Sequence, residues 1–346
     1  MVMTATSAFE ESFEDDDEVL RPLVTRKGWR QFVGRPVVPP VLLSLRDWEA
    51  LDDEARMSYD DRRLDYHGEL VVVRTAVVEK VALEGRRLTR LNRRARGARR
   101  GLIVSGDGGT GKSTAITYLG KTFELMSRQQ DFGASHIPVV YVTVPMAATP
   151  RMLAAEFARF LGIPVVRRAN ITDVMESVCG VLEDARTGLV LVDEIHNMDL
   201  NTRRGAEVSD TLKYFSERIA ATFVYAGINL ESEGLFSGTR GQQIGSRFKL
   251  ITTGAFPYHD EWKGLVATLE AALRLHRHKP GTLVALDEYL HQRTGGMIGS
   301  LFSLIQTAAM EAIDDGTEMI KKTALDGLQL DRTAESQRRP KASQRS

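Results

Sequence analysis

The most informative segment of this chain is "GLIVSGDGGTGKSTAITYLGK", residues 101–121. An apolar run ends in glycine, a glycine-rich turn follows, and a helical pattern begins at the lysine. Residues 106–113 match G-x-x-x-x-G-K-[ST], in the strand-to-helix setting that this motif requires. The backbone N–H groups of such a loop, together with the positive end of the helix dipole, bind phosphate. The stretch therefore predicts a nucleotide site.

The side chains of this loop have separate predicted tasks. We expect Lys112 to reach the β- and γ-phosphates and Ser113 to ligate Mg²⁺, so the predicted cofactors are ATP and Mg²⁺. The residues predicted to hold the nucleotide are Gly106, Asp107, Gly108, Gly109, Thr110, Gly111, Lys112, Ser113 and Thr114.

Strands and helices alternate after the loop. Besides the apolar run at 101–106, we predict strands over residues 137–144, 188–194, 221–229 and 248–254, separated by helical patterns. Strands that alternate with helices form a parallel sheet covered on both faces, so the fold class is α/β. Two or three helices are predicted between Leu42 and Arg96, and the pattern is helical again after Pro257.

These patterns divide the chain into five parts. The predicted parts are an acidic, disordered N-terminus (1–22), a helical N-terminal segment (23–99), an α/β nucleotide-binding domain (100–258), a helical lid (259–330) and a basic tail (331–346). No internal repeat is present.

Composition excludes several classes of protein. Lysine plus arginine and aspartate plus glutamate number 46 each, so the overall charge indicates no partner. Cys179 is the single cysteine, which excludes an intrachain disulfide. No run of about 18 apolar residues occurs, and the acidic N-terminus lacks the basic and apolar regions of a signal peptide. We expect a cytoplasmic protein with no membrane partner.

A pair of carboxylates ends the predicted strand in "LVLVDEIHN", residues 189–197. We expect Asp193 to hold Mg²⁺ and Glu194 to polarise the water that attacks the γ-phosphate, which favours hydrolysis over transfer to a hydroxyl. The alternative is an ordinary acidic cap at a strand end. "DEIH" also matches a helicase box, but too few residues follow the last strand for a second helicase domain. His196 is expected to support the site or lie on the surface.

Two further residues complete the predicted catalytic set of Lys112, Glu194, Asn229 and Arg247. Asn229 follows the fourth strand and is expected to orient the water or contact the γ-phosphate; the alternative is a turn asparagine. Arg247 precedes the fifth strand and is expected to reach the γ-phosphate of a neighbouring subunit, which would require assembly for hydrolysis. Its alternative is a surface arginine paired with a nearby acid, and Arg240 is a second choice for the same role.

The order of these motifs resembles that of AAA+ ATPases and, more narrowly, of the TniB/TnsC family of transposition ATPases. The residues that carry the resemblance follow the P-loop as "LVDEIHN", "AGIN", "IGSRF", "FPY" and "TGGMIGSLFSLIQTAAMEAI". Further similarity lies in "VPMAATPRMLAAEFARFLGIP" and in the upstream "YDDRRLDYHGELVVVRT". The resemblance spans roughly residues 40–325 and implies an AAA+ P-loop fold with a helical lid.

This resemblance implies a function and a set of partners. The ATP-bound protein would polymerise around double-stranded DNA, mark a target and recruit a DDE transposase that triggers hydrolysis, and a TniQ-like targeting protein is a further implied partner. Asn229 would be the sensor and Arg247 the arginine finger. One departure concerns the lid, because Met297–Ser300 occupy the region where many AAA+ lids carry a second sensor arginine, and Arg293 precedes the glycines.

Basic segments are the predicted DNA contacts. An arginine segment over residues 86–100 contains eight arginines and no acid, a composition that gives salt-dependent, sequence-independent affinity. Its members are Arg86, Arg87, Arg90, Arg93, Arg94, Arg96, Arg99 and Arg100. Thr149, Arg151 and Arg159 form a second predicted set, and the tail contributes Arg338, Arg339, Lys341 and Arg345. The alternative for the arginine segment is a solvated helix face, or pairing with the acidic N-terminus.

Two other functions fit the same motifs. One is a signalling or initiator-type ATPase switch, of the STAND or Orc-like kind, that works without DNA transposition. The other is a helicase loader. Stimulation of ATP hydrolysis by duplex DNA separates a DNA-dependent assembly from a switch that ignores DNA.

Overall fold

A five-stranded parallel sheet forms the centre of the structure, which is a computed structural model. The structure describes residues 20–69, 73–129, 135–166, 170–198, 203–231, 245–330 and 335. The strands are β1 (Gly101–Gly106), β2 (Val139–Thr143), β3 (Leu189–Asp193), β4 (Thr222–Gly227) and β5 (Phe248–Thr253). All five were predicted from the sequence, with ends that differ by no more than two residues.

The strand order explains how distant motifs meet. The order is β2-β3-β4-β1-β5, and every neighbouring pair is parallel. Strand β4 lies between β1 and β3, since Val224 aligns with both Leu102 and Leu191. The carboxyl ends of β1, β3 and β4 therefore share one edge of the sheet, which we call the carboxyl edge. The opposite, amino edge carries the starts of the same strands.

Apolar strands account for the burial of the sheet. Every residue of β1, β3 and β4 is buried, which is the pattern of parallel strands covered on both faces. The helices in chain order are α1 (Arg26–Gly34), α2 (Leu45–Glu49), α3 (Asp53–Gly68), α4 (Ala76–Asn92), α5 (Lys112–Arg128), α6 (Pro150–Leu161), α7 (Ile171–Asp184), α8 (Arg203–Arg218), α9 (Asp260–Ala271), α10 (Asp287–Thr294), α11 (Ile298–Asp314) and α12 (Lys322–Gly327). Helix α1 lies within the predicted helical segment 23–99 although no separate helix was predicted there, and the sequence patterns did not predict α7.

Helices flank the sheet in two groups, of which α1, α4 and α5 form one and α6, α7 and α8 the other. The amide of Asn92, the last residue of α4, joins α4 to the sheet. Its Nδ2 donates to the Arg100 carbonyl (2.7 Å) and to Thr222 Oγ1 (2.9 Å), and its Oδ1 accepts from the Arg100 N–H (3.0 Å). This buried amide fixes the start of β1 against the start of β4.

A second hydrophobic core lies in the lid. It centres on Trp262, Leu290, Leu301 and Leu304, all fully buried. Helix α3 packs on lid helix α11, and Leu64 contacts the lid core. Because α4 packs on α5 and β1, the predicted N-terminal helical segment has two packing partners, the lid and the sheet domain.

A buried ion pair fixes α3 to the lid. Arg63 donates to both oxygens of Glu318 at 2.7 Å, and both side chains are fully buried. Arg63 also donates to the Arg274 carbonyl (3.1 Å). Removal of one partner of a buried ion pair strongly destabilises a folded protein, because the other charge stays buried without a partner. The pair therefore sets the orientation of α3 on the lid.

None of the helices in the described part of the chain is both long and apolar enough to cross a membrane.

Candidate nucleotide and hydrolysis site

The P-loop has the conformation that its glycines allow. Gly106, Gly109 and Gly111 have φ angles of 153°, 72° and 84°, in a region that side chains with a Cβ rarely adopt. A Cβ on Gly106 would lie 2.1 Å from the Thr253 carbonyl oxygen, so only glycine fits between β1 and β5.

Helix α5 begins directly after this loop without a side-chain cap. Its N-cap residue is Gly111, whereas a side chain caps each of the helices α1 to α4, α6 and α7. The first N–H groups of a helix have no acceptor inside the helix, and here no side chain occupies the cap. The residues present therefore fit a phosphate group at this end of α5.

Lys112 lies in the loop with its ammonium group turned toward the loop backbone. Its Nζ donates to the carbonyls of Gly106 (2.8 Å) and Asp107 (2.6 Å). Burial lowers the pKa of Lys112, and the nearby carboxylates of Asp193, Glu194 and Asp107 oppose that shift. The charge of Lys112 thus lies near three carboxylates and donates to two backbone carbonyls. A phosphate group bound in the loop would compete with those carbonyls for the ammonium group.

Asp193 ends β3 as a buried carboxylate, 2% exposed. Its Oδ1 accepts the N–H of Glu194 (2.8 Å), and its Oδ2 accepts the hydroxyl of Tyr141 on β2 (3.0 Å). Burial, then the charge of Asp193, raises the pKa of Tyr141 far above its usual range, so the phenol stays protonated and donates. Each carboxylate oxygen of Asp193 accepts one hydrogen bond here and can accept about two, which leaves capacity for a hydrated Mg²⁺.

Glu194 is half-exposed and has the left-handed backbone conformation, with φ 57°. Its Oε2 lies 3.2 Å from Nε2 of His196. The other ring nitrogen, Nδ1, accepts the N–H of Ile228 at 3.2 Å. A neutral ring that accepts at Nδ1 carries its proton on Nε2, so His196 donates to Glu194. The histidine joins the carboxylate to the loop that follows β4.

Asn229 follows β4 and contacts the P-loop directly. Its Nδ2 donates to Oδ1 of Asp107 (2.9 Å), and its backbone has φ 43°. Left-handed backbone at a non-glycine residue costs energy and occurs often at functional sites. The structure thus places Asn229 against the P-loop at the carboxyl edge, where the acidic pair also lies.

Thr253 is a site residue that the sequence patterns did not reveal. It ends β5, and its Oγ1 lies 2.7 Å from Oγ1 of Thr110 in the P-loop. The Thr253 hydroxyl also donates to the Ser105 carbonyl at 3.2 Å. A polar residue at the end of an apolar strand is the signal that could have pointed to Thr253. For Tyr141, the signal is a phenol within the apolar run "VVYVT" of β2.

The lid contacts the P-loop through backbone atoms. The N–H of Gly299 donates to the Gly109 carbonyl (2.9 Å), and a Cβ on Gly299 would lie 3.0 Å from that oxygen. Arg293 faces elsewhere, because its Nη2 donates to the Leu328 carbonyl (2.8 Å) and pairs with Glu335 (2.7 Å) inside the lid. In this structure Arg293 therefore does not contact the P-loop.

Arg247 lies at the amino edge, immediately before β5. The far end of β5, at Thr253, is the end that contacts the P-loop, and six residues of strand span roughly 20 Å. Arg247 is 39% exposed and lies 3.8 Å from Glu217. It lines a cavity of about 250 Å³ together with Arg99, Arg100 and Lys213. Arg247 is thus remote from the P-loop of its own chain.

The arginine segment leads into the same amino edge, because its last residue, Arg100, immediately precedes β1. Seven of its eight arginines are exposed, and Arg99 is half-buried. Arg87 pairs with Glu84 (2.9 Å), which also pairs with Lys249 (2.9 Å). The segment is therefore a solvent-facing cationic surface with few acidic partners.

The second predicted set of DNA contacts has local structural roles. Thr149 is the N-cap of α6, where its hydroxyl accepts the Met152 N–H (3.2 Å). Arg151 donates to the Val166 carbonyl (3.2 Å), and Arg159 pairs with Glu156. Both arginines remain exposed. Arg240, most of the acidic N-terminus and the basic tail residues Arg338, Arg339, Lys341 and Arg345 lie outside the described residues.

The strand–P-loop–helix unit, the acidic pair and the strand order together define a P-loop ATPase of the AAA+ class. The chain belongs to the TniB family, because the family described as bacterial TniB protein matches residues 73–257, more than half of its length. A search among curated proteins gave no match in sequence.

Solved structures with the same fold include ORC proteins. The Aeropyrum pernix ORC2 protein in its ADPNP–ADP complexes aligns with a TM-score of 0.59 and 19% identity over 82% of this chain and 73% of that one. The Aeropyrum pernix ORC1 protein in complex with DNA gives 0.56 and 16% over 79% and 67%. Drosophila ORC bound to DNA gives 0.51 and 14% over 87% and 72%. At these identities the likeness is one of fold.

Proposed function

We propose that this protein is an ATP-dependent, DNA-binding regulator of DNA transposition. It assembles on duplex DNA, marks the target, and recruits and activates a DDE transposase, with a TniQ-like targeting protein as a further partner. Membership of the TniB family supports the link to transposition. A bacterial cytoplasmic location belongs to the same proposal and is supported by the family match.

Within the site, we assign roles according to position. Lys112 and the N–H groups at the start of α5 hold the phosphates of ATP, while Ser113 and Asp193 hold Mg²⁺, which offsets phosphate charge and orients the γ-phosphate. Glu194 takes the proton of the attacking water, and Asn229 keeps that water beside the P-loop. The contacts of Asp193 and Asn229 at the carboxyl edge support these roles.

The single observation that carries the proposal is the position of Arg247. It lies at the amino edge, roughly a full strand length away from the P-loop of its own chain. Arg247 can therefore stabilise the transition-state charge only at the site of a second copy, in a head-to-tail contact that generates a ring or a helical filament. Hydrolysis would then require assembly.

Duplex DNA is the proposed scaffold for that assembly. The exposed arginine segment offers phosphate contacts that position a protein without reading bases. Two of the structural neighbours are described in complex with DNA, which supports DNA as a ligand of this fold. Thr149 and Arg151 remain secondary proposals, because both have local structural partners.

The test measures ATP hydrolysis per subunit over a protein dilution series, with and without a long duplex, at several salt concentrations. We expect the rate per subunit to rise with concentration and with DNA, and the DNA effect to fade as salt rises. A rate that ignores dilution and DNA would overturn the proposal in favour of a DNA-independent ATPase switch.

A further inference from the structure

A line of buried side chains leads from the N-terminal helix α1 to Asp193. The ring of Trp29 on α1 stacks on the ring of Tyr141, with centroids 5.8 Å apart and planes 13° from parallel. The Tyr141 hydroxyl donates to Asp193 Oδ2 at 3.0 Å. Trp29 is 1% exposed and Tyr141 7% exposed, so this contact is shielded from water. Helix α1 precedes residues 73–257, the range that matches the family.

The Trp29 end of this line is held by helix α5. Trp29 Nε1 donates to Oε2 of the buried Glu124 on α5, at 2.5 Å, and Arg128 pairs with the same carboxylate at 2.6 Å. Gly120 of α5 leaves room for the indole, because a Cβ there would lie 2.7 Å from Trp29. The indole can therefore neither rotate nor move away without breaking a buried hydrogen bond.

The phenol determines where the Asp193 carboxylate points. One oxygen is held by the Glu194 N–H and the other by Tyr141, so rotation about the Cβ–Cγ bond breaks both hydrogen bonds. Hydrogen bonds to a metal-binding carboxylate fix its orientation, and loss of such a partner lowers metal affinity by about 10- to 100-fold.

We propose that Tyr141 is a positioning residue for the Mg²⁺ site, that it acts by holding the Asp193 carboxylate, and that Trp29 of α1 holds Tyr141 in turn. This inference rests on the proposed metal role of Asp193. It makes α1 part of the support of the active site, although α1 lies outside the family-matched range.

The test compares the affinity of a fluorescent N-methylanthraniloyl-ATP for the full chain in Mg²⁺ and in EDTA. Tyr141→Phe removes the hydroxyl and keeps the ring. We expect binding in EDTA to be unchanged and binding in Mg²⁺ to weaken about 10-fold. Trp29→Phe is expected to shift the Mg²⁺ value in the same direction by less. A 4-aminophenylalanine at position 141, which restores a donor, is expected to return the wild-type value.

The matched control is Tyr225→Phe. Tyr225 is another buried strand tyrosine, but its ring stacks on Phe248 at the amino edge. The Tyr225→Phe variant is expected to keep the wild-type ratio of nucleotide affinity in Mg²⁺ to nucleotide affinity in EDTA. Thermal unfolding of each variant checks the fold, and Trp29→Phe serves as the test if Tyr141→Phe is unfolded. A wild-type ratio in Tyr141→Phe, or in Trp29→Phe in that case, overturns the inference.

A further variant separates this inference from the function on which it rests. Asp193→Asn is expected to abolish the advantage of Mg²⁺ over EDTA. If Asp193→Asn removes that advantage and Tyr141→Phe does not, only the inference fails. If Asp193→Asn retains it, the metal role of Asp193 fails and both proposals fall.

Discussion

The two edges of the sheet differ in how fully they are connected. At the carboxyl edge, Asp193 and Asn229 make hydrogen bonds of 2.9–3.0 Å to other strands and loops, and Lys112 makes bonds of 2.6 and 2.8 Å to the P-loop backbone. At the amino edge the neutral amide of Asn92 is also held by hydrogen bonds, but the cation of Arg247 is 39% exposed and 3.8 Å from Glu217. The first edge has its polar groups set in place within one chain, whereas the second presents cations toward solvent.

This difference indicates which surface of the chain a second copy would contact. Preorganised groups stabilise charge without rearranging during the reaction, and the carboxyl edge has that property. The exposed cations of the amino edge are available for phosphate from outside the chain, whether from a neighbour's nucleotide or from DNA. A substitution at one edge is therefore expected to leave the properties of the other edge unchanged.

Glu194→Gln is expected to have the largest effect. Loss of the general base lowers ATP turnover by about 1,000-fold, while ATP binding persists because the P-loop is unchanged. Long assemblies on duplex DNA should then accumulate with ATP. Turnover assays and electron microscopy check this result. Particles that remain single chains with ATP and DNA would contradict it.

Lys112→Ala removes the cation of the carboxyl edge. We expect ATP affinity to fall by about 100-fold, since a charge-assisted hydrogen bond to phosphate is lost. The control is Lys121→Ala on the same helix, whose Nζ donates to the carbonyls of Phe32 (2.9 Å) and Arg35 (3.2 Å). Calorimetry measures both variants. Equal losses in the two would show that removal of any α5 lysine perturbs the helix.

His196→Ala tests the link between Glu194 and the loop after β4. We expect the turnover number to fall by about 10-fold with little change in ATP affinity, because the base loses its orienting donor. His196→Gln keeps a donor near Glu194 and should retain more activity than the alanine variant. If both variants match the wild type in turnover, the histidine has no part in holding Glu194.

Arg96→Ala is expected to have the smallest effect and belongs to the amino edge. The logarithm of the affinity for duplex DNA falls as the logarithm of the salt concentration rises, and loss of one phosphate contact reduces the magnitude of that slope by about 1. ATP binding should be unchanged. Arg62→Ala on α3 removes one exposed arginine elsewhere and serves as the control. A slope that stays at the wild-type value in Arg96→Ala would exclude that arginine from the DNA surface.

The sheet and the loop motifs could be predicted because their signals are local. Buried parallel strands are nearly continuous apolar runs, and "GLIVSG" or "LVLVD" show this directly. The P-loop and the acidic pair are defined by residues adjacent in sequence. Helix α7 was missed, since only Val174, Val178 and Leu182 of its 14 residues are buried and the apolar stripe is narrow.

The missed parts of the site depend on contacts between distant segments. Tyr141 meets Asp193 across 52 residues, and Thr110 meets Thr253 across 143. These pairings follow from strand order and register, which no local pattern in one sequence specifies. The same holds for Gly299, whose contact with Gly109 requires the lid to fold back over the P-loop.

The most direct test of the shared site is to mix two inactive variants, Arg247→Ala and Glu194→Gln, with ATP and duplex DNA. A P-loop from the first beside an arginine from the second forms a complete site, so random head-to-tail assembly should restore about a quarter of wild-type turnover. Each variant alone should remain nearly inactive. Turnover in the mixture equal to the sum of the separate variants, or full activity of Arg247→Ala alone, would contradict an active site shared between two copies.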